Sequence, residues 1–331
     1  MPGTSVREAM TAITGEFPEL VHLPELPTRG PGGDMVGRTA ALLSAVASEF
    51  SVETTPTGWR YADLPGTAVR RAQSFLSEDL DTLQEFCGEA GSSVKVQLCG
   101  PITLASTISL RRGERVISDE GALRDLVDAH REAVLRHLAE VRRRLPRAQL
   151  IVQIDEPAMD AALQGSLPTQ SGWGRLMPLE EPLVRTWHTA LAGAIAASDA
   201  SPWLHSCAAN WPLELARAAG YRCFSGDLSL LQESDDDALG TALEAGMMLA
   251  AGVVPTTAAR IAAVTRPAGL VEPIRRTFAR LGLGDGLLAS SVVVTPSCGL
   301  GSSSWPAARK AMSLVREAAR ILSDQLQGVD D

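Results

Sequence analysis

Several features that would place a protein in a familiar class are missing from this 331-residue sequence. No apolar run approaches the roughly 20 residues that a membrane-spanning helix needs. Residues 1–17 contain no basic end followed by an apolar segment, so we expect no secretion signal. Five cysteines, an odd number, do not form the pattern of a disulfide framework. We therefore expect a cytoplasmic location, where thiols stay reduced and can bind a metal.

Positive charge is also scarce. The formal net charge is −9, and only two of the 30 cationic residues are lysines. This balance argues against nucleic acids and membrane surfaces as partners, because proteins that bind them normally carry a basic patch. One of the lysines, Lys95, lies inside a predicted strand. A Schiff-base enzyme would need such a lysine, but an ion pair with a carboxylate inside the fold is the favoured interpretation.

Short β-like runs alternate with longer helical ones along the chain. The predicted strands are residues 9–14, 51–54, 93–98, 149–154, 202–206, 221–225, 247–254 and 291–295. The predicted helices are residues 34–49, 66–89, 118–144, 179–197, 212–219, 235–245, 269–281 and 305–326. Strands that alternate with helices form parallel sheets, and eight such units predict an α/β fold of the (β/α)8 TIM barrel type.

We expect a single barrel domain over residues 1–331, with an N-terminal loop extension. The hydrophobic content of 45% is ordinary for a globular protein with a sizeable core. The Pro/Gly-rich stretch 24–33 is interpreted as a long loop over the mouth of the barrel. A doubly wound open sheet is the alternative, but no Gly-x-Gly-x-x-Gly motif follows a predicted strand.

The chemically distinctive residues follow the predicted strands, where a TIM barrel places its chemistry. His205 and Cys207 lie two residues apart at the end of one strand, so their side chains point to the same face. Cys298 follows a later β-branched run. One nitrogen and two sulfurs are typical zinc ligands, and a site with three protein ligands leaves room for a substrate. A fourth ligand would come from Asp227 or, less easily, from Cys223.

Other polar residues have a structural alternative beside the functional one. Gln153 and Asp155 share one face of a predicted strand, which would direct Asp155 into the mouth. A carboxylate there could hold a substrate ammonium group or move a proton, whereas a helix cap or a salt bridge is the structural interpretation. His130 belongs to the apolar stripe of the helix at 118–144 and is expected to be a core histidine. The thiols of Cys87 and Cys99 are expected to be buried.

Four short motifs, in their order and spacing, resemble the catalytic domain of cobalamin-independent methionine synthase over about residues 10–325. They are Gly-Pro-Ile-Thr-Leu at 100–104, Gln-Ile-Asp-Glu-Pro-Ala at 153–158, His-Ser-Cys at 205–207 and Pro-Ser-Cys-Gly-Leu at 296–300. The resemblance implies a (β/α)8 barrel of the uroporphyrinogen decarboxylase/methionine synthase type, here in a short form with one barrel. It also implies a zinc ion (Zn2+) bound by His205, Cys207, Cys298 and an acidic residue, for which this chain offers Asp227.

The same resemblance implies a zinc-dependent S-methyltransferase of methionine biosynthesis. The acceptor would be a small thiol, homocysteine above all, and the methyl donor would be methyltetrahydrofolate or a methyl-corrinoid protein. Asp155 would hold the amino-acid substrate, and Asp227 or Glu156 would supply a catalytic proton. The glutamate that precedes the family's Asp-Met-Val helix start is absent here. We expect Glu16, or else Glu25, to replace it.

Two other interpretations remain open. A binding or regulatory module with a structural zinc would have a closed site of four protein ligands. An enzyme similar to uroporphyrinogen decarboxylase would use the same barrel without zinc. If an added thiol binds the metal through its sulfur, the zinc is catalytic. If the metal ligands do not change, the zinc is structural.

Overall fold

The computed structural model describes residues 1–88 and 91–328. The strands are β1 Leu20–His22, β2 Val52–Thr55, β3 Gly58–Tyr61, β4 Ser93–Cys99, β5 Gln149–Asp155, β6 Ala200–His205, β7 Cys223–Asp227, β8 Met248–Val254 and β9 Val292–Pro296. The helices are α1 Val6–Glu16, α2 Met35–Val46, α3 Thr67–Cys87, α4 Pro101–Thr107, α5 Glu120–Arg144, α6 Met159–Leu163, α7 Glu181–Ala197, α8 Leu213–Ala218, α9 Asp236–Glu244, α10 Ala258–Ala262, α11 Glu272–Arg280, α12 Asp285–Ser291 and α13 Trp305–Leu326. Within these described ranges, no helix combines the length and apolarity needed to cross a lipid bilayer.

The main sheet is parallel throughout. Its strand order is β1-β4-β5-β6-β7-β8-β9, and each neighbouring pair runs in the same direction. Helical connections return the chain between parallel strands, so the carboxyl ends of the strands all lie at one end of the sheet. The predicted α/β class is therefore confirmed. The described residues supply seven strands to this sheet, where eight were predicted.

The N-terminal part of the chain accounts for the difference. The strand predicted at 9–14 is wrong, because this segment lies in α1, whose buried residues Val6, Met10 and Ile13 recur with helical spacing. The predicted strand at 51–54 exists as β2, but it pairs antiparallel with β3 outside the main sheet. The first strand of the sheet is β1, which has only three residues and is too short to show a period of two.

The remaining helix and strand predictions agree with the structure to within about three residues at each end, which is the ordinary uncertainty of such boundaries. Residue 89, the last of the predicted helix 66–89, lies outside the described residues. His130 is confirmed as a core histidine, because it is fully buried and its Nε2 lies 2.8 Å from the carbonyl oxygen of Cys99. Cys87 and Cys99 are buried as predicted.

The two faces of the main sheet carry separate apolar clusters. The larger cluster packs the sheet against the helices and includes Val94, Val96 and Leu98 of β4 and Leu150, Val152 and Ile154 of β5. A small cluster on the other face consists of Ile151, Trp203, Cys223 and Ala250. Because side chains alternate along a strand, this second face also carries the polar residues that follow toward the carboxyl ends of the strands.

A glycine in β8 lets its two neighbouring strands approach closely. Gly252 pairs with Asp227 of β7 and with Thr295 of β9, and the register of β8 and β9 shifts directly after it. A Cβ atom at Gly252 would lie 2.7 Å from the carbonyl oxygen of Gly226 and 2.8 Å from the Cα of Ser297. Any side chain there would push the ends of β7 and β9 outward.

Candidate metal centre

Three side chains with metal-binding atoms converge at the carboxyl end of the sheet. The ligand atoms of His205, Cys207 and Cys298 all lie within 4.8 Å of one another. His205 is half-buried, and Cys207 and Cys298 are exposed residues, so the cluster is open to solvent. Two strands, β7 and β8, separate β6 from β9, and in a flat sheet their ends would be roughly 14 Å apart. The convergence therefore requires a strongly curled sheet.

Neighbouring strands fix the orientation of the imidazole. His205 is the last residue of β6 and pairs with Ser225 of β7. Its Nδ1 lies 3.1 Å from the hydroxyl oxygen of Ser225, which leaves Nε2 available to a metal. A partner on the second ring nitrogen is the usual means of orienting a metal-binding histidine. In the sequence, Ser225 alternates with Cys223 and Asp227 along one face of the strand, but this pattern does not by itself identify Ser225 as a partner of His205.

A hydrogen bond joins the side chains of Cys207 and Cys298. A hydrogen bond from Cys207 to the sulfur of Cys298, together with one from His205, lowers the pKa of Cys298 to about 4. The same hydrogen bond and partial burial raise the pKa of Cys207. The hydrogen bonds thus favour the thiolate form of Cys298. Thiolate and imidazole are the donors that zinc prefers in tetrahedral sites, so the chemistry of the cluster fits a zinc ion.

Asp155 lies at the end of β5, beside the cluster. It is 8% exposed, and its register partners at the strand ends are Cys99 and His205. Its Oδ1 accepts a hydrogen bond of 2.7 Å from Gln153 Nε2. Burial raises the pKa of Asp155, while the nearby His205 and Lys95 oppose this rise. The carboxylate is thus buried near the positive charge of Lys95, at the carboxyl end of the strand.

Lys95 of β4 forms a hydrogen bond with the same glutamine that contacts Asp155. Its Nζ donates a hydrogen bond of 2.9 Å to Gln153 Oε1, so the glutamine links the lysine to Asp155. Burial lowers the pKa of Lys95, and its interactions with Asp155 and Glu25 oppose the change. The ion pair expected for Lys95 is therefore indirect, because a neutral amide lies between the ammonium and the carboxylate.

The two glutamates considered as substitutes for the missing carboxylate lie at opposite ends of the sheet. Glu16 ends α1 before β1 begins, at the amino end of the strands, and its Oε2 lies 3.2 Å from Arg316 Nη1. Glu25 follows β1 at the carboxyl end. Burial raises the pKa of Glu25 to about 7, with Arg38 opposing and Asp155 adding to the rise. The structure thus places Glu25, and not Glu16, near Asp155.

The other two predicted acids are engaged elsewhere. Asp227 ends β7, and its Oδ1 accepts hydrogen bonds from the backbone nitrogen of Ser229 at 3.0 Å and from the Ser229 hydroxyl at 2.7 Å. Its carboxylate is not part of the three-residue cluster.

Glu156 is fully buried. It accepts hydrogen bonds from the backbone nitrogens of Ile102 and Thr103 at 3.0 and 2.8 Å. Glu156 therefore caps the amino end of α4, and its possible part as a proton donor stays a prediction.

A link between a loop and a helix holds the segment that follows Cys207. The Asn210 side-chain amide lies 3.1 and 3.2 Å from the two carboxylate oxygens of Asp160. Asp160 is in α6, directly after β5. This pair joins the loop after β6 to the helix after β5. Nothing in the sequence pattern indicated it, because the two residues are 50 positions apart.

Fold and cluster together define a class of protein: an α/β enzyme with an open site for a thiophilic metal at the carboxyl end of a curled parallel sheet. The family model described as cobalamin-independent synthase, catalytic domain, matches residues 80–321. The chain belongs to this family of methyl-transferring enzymes of methionine biosynthesis. No curated protein sequence matches the chain.

A solved structure supports the fold. The B12-independent methionine synthase from Shewanella sp. W3-18-1, determined in complex with selenomethionine, is similar to this chain with a TM-score of 0.50. The match covers 76% of this chain and 67% of that one, at 14% sequence identity. At this identity the likeness is one of fold.

Proposed function

We propose that this protein is a zinc-dependent methyltransferase that methylates a small thiol, with homocysteine as the acceptor. The observation that carries the proposal is the convergence of the ligand atoms of His205, Cys207 and Cys298 within 4.8 Å at an open face. These residues would hold the zinc ion. A zinc ion bound there would deprotonate a coordinated thiol and so supply a thiolate nucleophile at neutral pH.

Asp227 remains the proposed fourth protein ligand. It ends β7, which lies between the strands that carry the other ligands, so its Cα lies on the same side of the sheet end. To reach the cluster, its carboxylate would turn away from Ser229, whose hydroxyl can instead bond to water. Asp227 would then complete, with His205, Cys207 and Cys298, the set of residues that would hold the zinc ion.

Asp155 and Glu25 are proposed to bind the ammonium group of the acceptor. A buried ammonium needs a paired negative charge, because leaving it unpaired is costly. Asp155 is a buried carboxylate beside the cluster, and Glu25 Oε1 is buried with no hydrogen-bond partner among the described residues. The free oxygen of Glu25 is thus available to a ligand. Glu16 is not part of this proposal, because it lies at the other end of the sheet.

The wider proposal concerns the fold, the donor and the location. We propose one domain over the chain, in which the curled sheet belongs to a (β/α)8 barrel, and a cytoplasmic site of action. The parallel strand order and the convergence of the ends of β6 and β9 support the barrel. The methyl donor is proposed to be methyltetrahydrofolate or a methyl-corrinoid.

Metal analysis of purified variants tests the proposal. The wild-type protein should bind about one zinc ion per chain, and Cys207→Ser and Cys298→Ser should each lower the zinc content and abolish thiol methylation. Cys87→Ala, at a buried cysteine on α3, is the matched control and should retain the metal. Stoichiometric zinc in a Cys207/Cys298 double variant would remove the basis of the proposal. X-ray absorption at the zinc edge should show an added sulfur ligand when homocysteine is present, and an unchanged spectrum would favour a structural metal.

A further inference from the structure

Large apolar side chains are exposed at the same end of the sheet as the metal centre. Trp173 is 96% exposed, Met177 85% and Leu64 77%. Trp173 and Met177 lie in the connection between α6 and α7, and Leu64 lies just before α3. These segments border the carboxyl ends of the strands. Clustered exposed apolar residues mark interaction sites more often than chance, whereas isolated ones do not.

The segment that carries Trp173 is anchored to the loop after α4. The backbone nitrogen of Gln170 lies 2.8 Å from both carboxylate oxygens of Glu114, and its side-chain amide lies 3.3 Å from the Ser109 hydroxyl. Asp63, next to Leu64, pairs with Arg111 at 3.0 Å. These contacts join residues 63–64, 109–115 and 168–177 into one surface, called the rim below. Trp173 is therefore displayed on a turn with fixed attachments.

The rim also carries arginines without acidic partners. Within residues 1–88 and 91–328, no carboxylate forms an ion pair with Arg112, Arg115 or Arg175. Unpaired arginines present several free hydrogen-bond donors in a fixed geometry. They stand out because the whole chain has a net charge of −9. The rim is therefore locally positive on an acidic protein.

The shape and charge of the rim favour one kind of partner. Small ligands bind in concave sites, whereas Trp173 projects almost fully into solvent. Nucleic acid is disfavoured by the overall negative charge. A two-fold dimer would set the rim arginines of one copy against those of the other, because such an interface uses the same patch twice. We propose that the rim is the docking surface for an acidic partner protein, with Trp173 as its central anchor.

The composition of the rim agrees with this proposal, since tryptophan, methionine and arginine are enriched in the energetically dominant parts of protein interfaces. The rim is also connected to the metal centre. The segment 164–180 directly follows α6, and Asp160 of α6 holds Asn210 in the loop after Cys207. The rim and the cluster therefore lie at the same end of the sheet and are linked through α6. That this partner delivers the methyl group rests on the proposed function, whereas the docking itself does not.

The first experiment identifies what binds the rim. A photo-crosslinking amino acid at Met177, in the full-length protein inside its source cells, should form an adduct with an acidic protein. The matched control carries the same group at Arg147, an exposed arginine without an ion-pair partner among the described residues that lies before β5 at the opposite end of the sheet. An adduct between two copies of this chain, an adduct with nucleic acid, or no adduct at Met177 would each overturn the proposal.

The second experiment measures binding of the purified crosslinked protein. Trp173→Ala should weaken its binding by about tenfold or more, and Arg112→Glu combined with Arg115→Glu should weaken it and reduce its dependence on salt. Arg147→Glu should bind as the wild type does. Melting temperatures close to that of the wild type establish that the variants are folded. Equal affinity of Trp173→Ala and wild type would overturn the proposal, as would a raised KM of Trp173→Ala for a free small methyl donor. The docking experiment measures affinity for the partner protein. Its result is therefore independent of whether the protein binds zinc or transfers a methyl group.

Discussion

Replacement of Asp155 by asparagine isolates the proposed contact with the substrate ammonium. The substitution keeps the shape of the side chain, and the amide oxygen can still accept the 2.7 Å hydrogen bond from Gln153. What is lost is the negative charge at a position that is 8% exposed, where solvent screens little. A hydrogen bond to a charged group contributes about 1.5–3 kcal/mol. We therefore expect kcat/KM for homocysteine to fall about 10- to 100-fold.

The assay compares two acceptors in steady-state kinetics. The second acceptor is 4-mercaptobutanoate, a thiol of the same length that has no amine. Asp155→Asn should affect homocysteine far more than this analogue, and the zinc content should not change. Glu25→Gln should behave similarly, whereas Glu16→Gln, at the opposite end of the sheet, should leave both activities unchanged. An equal loss with both thiols in Asp155→Asn would refute the reasoning and assign Asp155 a structural role.

Two further predictions concern metal affinity and pH. Ser225→Ala removes the partner of His205 Nδ1 and should lower zinc affinity by about 10- to 100-fold, as measured by competition with a chelator; unchanged affinity would mean that the hydroxyl does not orient the imidazole. Burial lowers the pKa of His130 and of His137 to about 4, below the value of about 6.5 expected in the unfolded chain. The unfolded chain therefore binds more protons, so stability should fall as the pH drops from about 6.5 toward 4. Each of the two histidines should contribute a loss of roughly 1 kcal/mol between pH 7 and 5.5. The loss measured by urea denaturation of zinc-free His137→Gln should therefore be smaller than that of the wild type by about this amount, and an identical pH dependence in the two proteins would contradict the assignment.

The fold could be predicted wherever the sequence period was long enough to read. The strand runs at 93–99 and 149–155 carry a valine, leucine or isoleucine at every second position, which is the period of a strand with one face packed against helices, and the helix between them shows a clear period of its own. The N-terminal part failed because two signals conflict. Residues 9–14 are rich in residues that also suit a strand, but Ser5 and Glu8 have the spacing of a capping box, and Ser5 does accept a hydrogen bond from the Glu8 nitrogen. That pair was the available evidence for a helix.

Some residues of the candidate site could be predicted from the sequence, and others could not. The residues at strand ends, His205, Cys207 and Cys298, were expected at one end of the sheet because parallel strands bring their carboxyl ends together. The roles of Glu16 and Glu156 could not be read in the same way. Which end of the sheet Glu16 occupies depends on where β1 begins, and the capping of α4 by Glu156 depends on a contact 54 residues away. Such contacts leave no local pattern.

The candidate metal centre also depends on Gly252, a residue that offers no ligand atom. Its missing side chain permits the short distances between β7, β8 and β9, and those distances allow Cys298 to reach His205 and Cys207. The length of a metal–sulfur bond tolerates only a few tenths of an ångström of error, whereas an alanine Cβ at 252 would overlap backbone atoms on two sides. Zinc binding should therefore tolerate substitution of Gly252 as poorly as it tolerates substitution of Cys207 and Cys298. A survey of random variants selected for zinc retention should recover glycine at 252 as strictly as it recovers the two thiols.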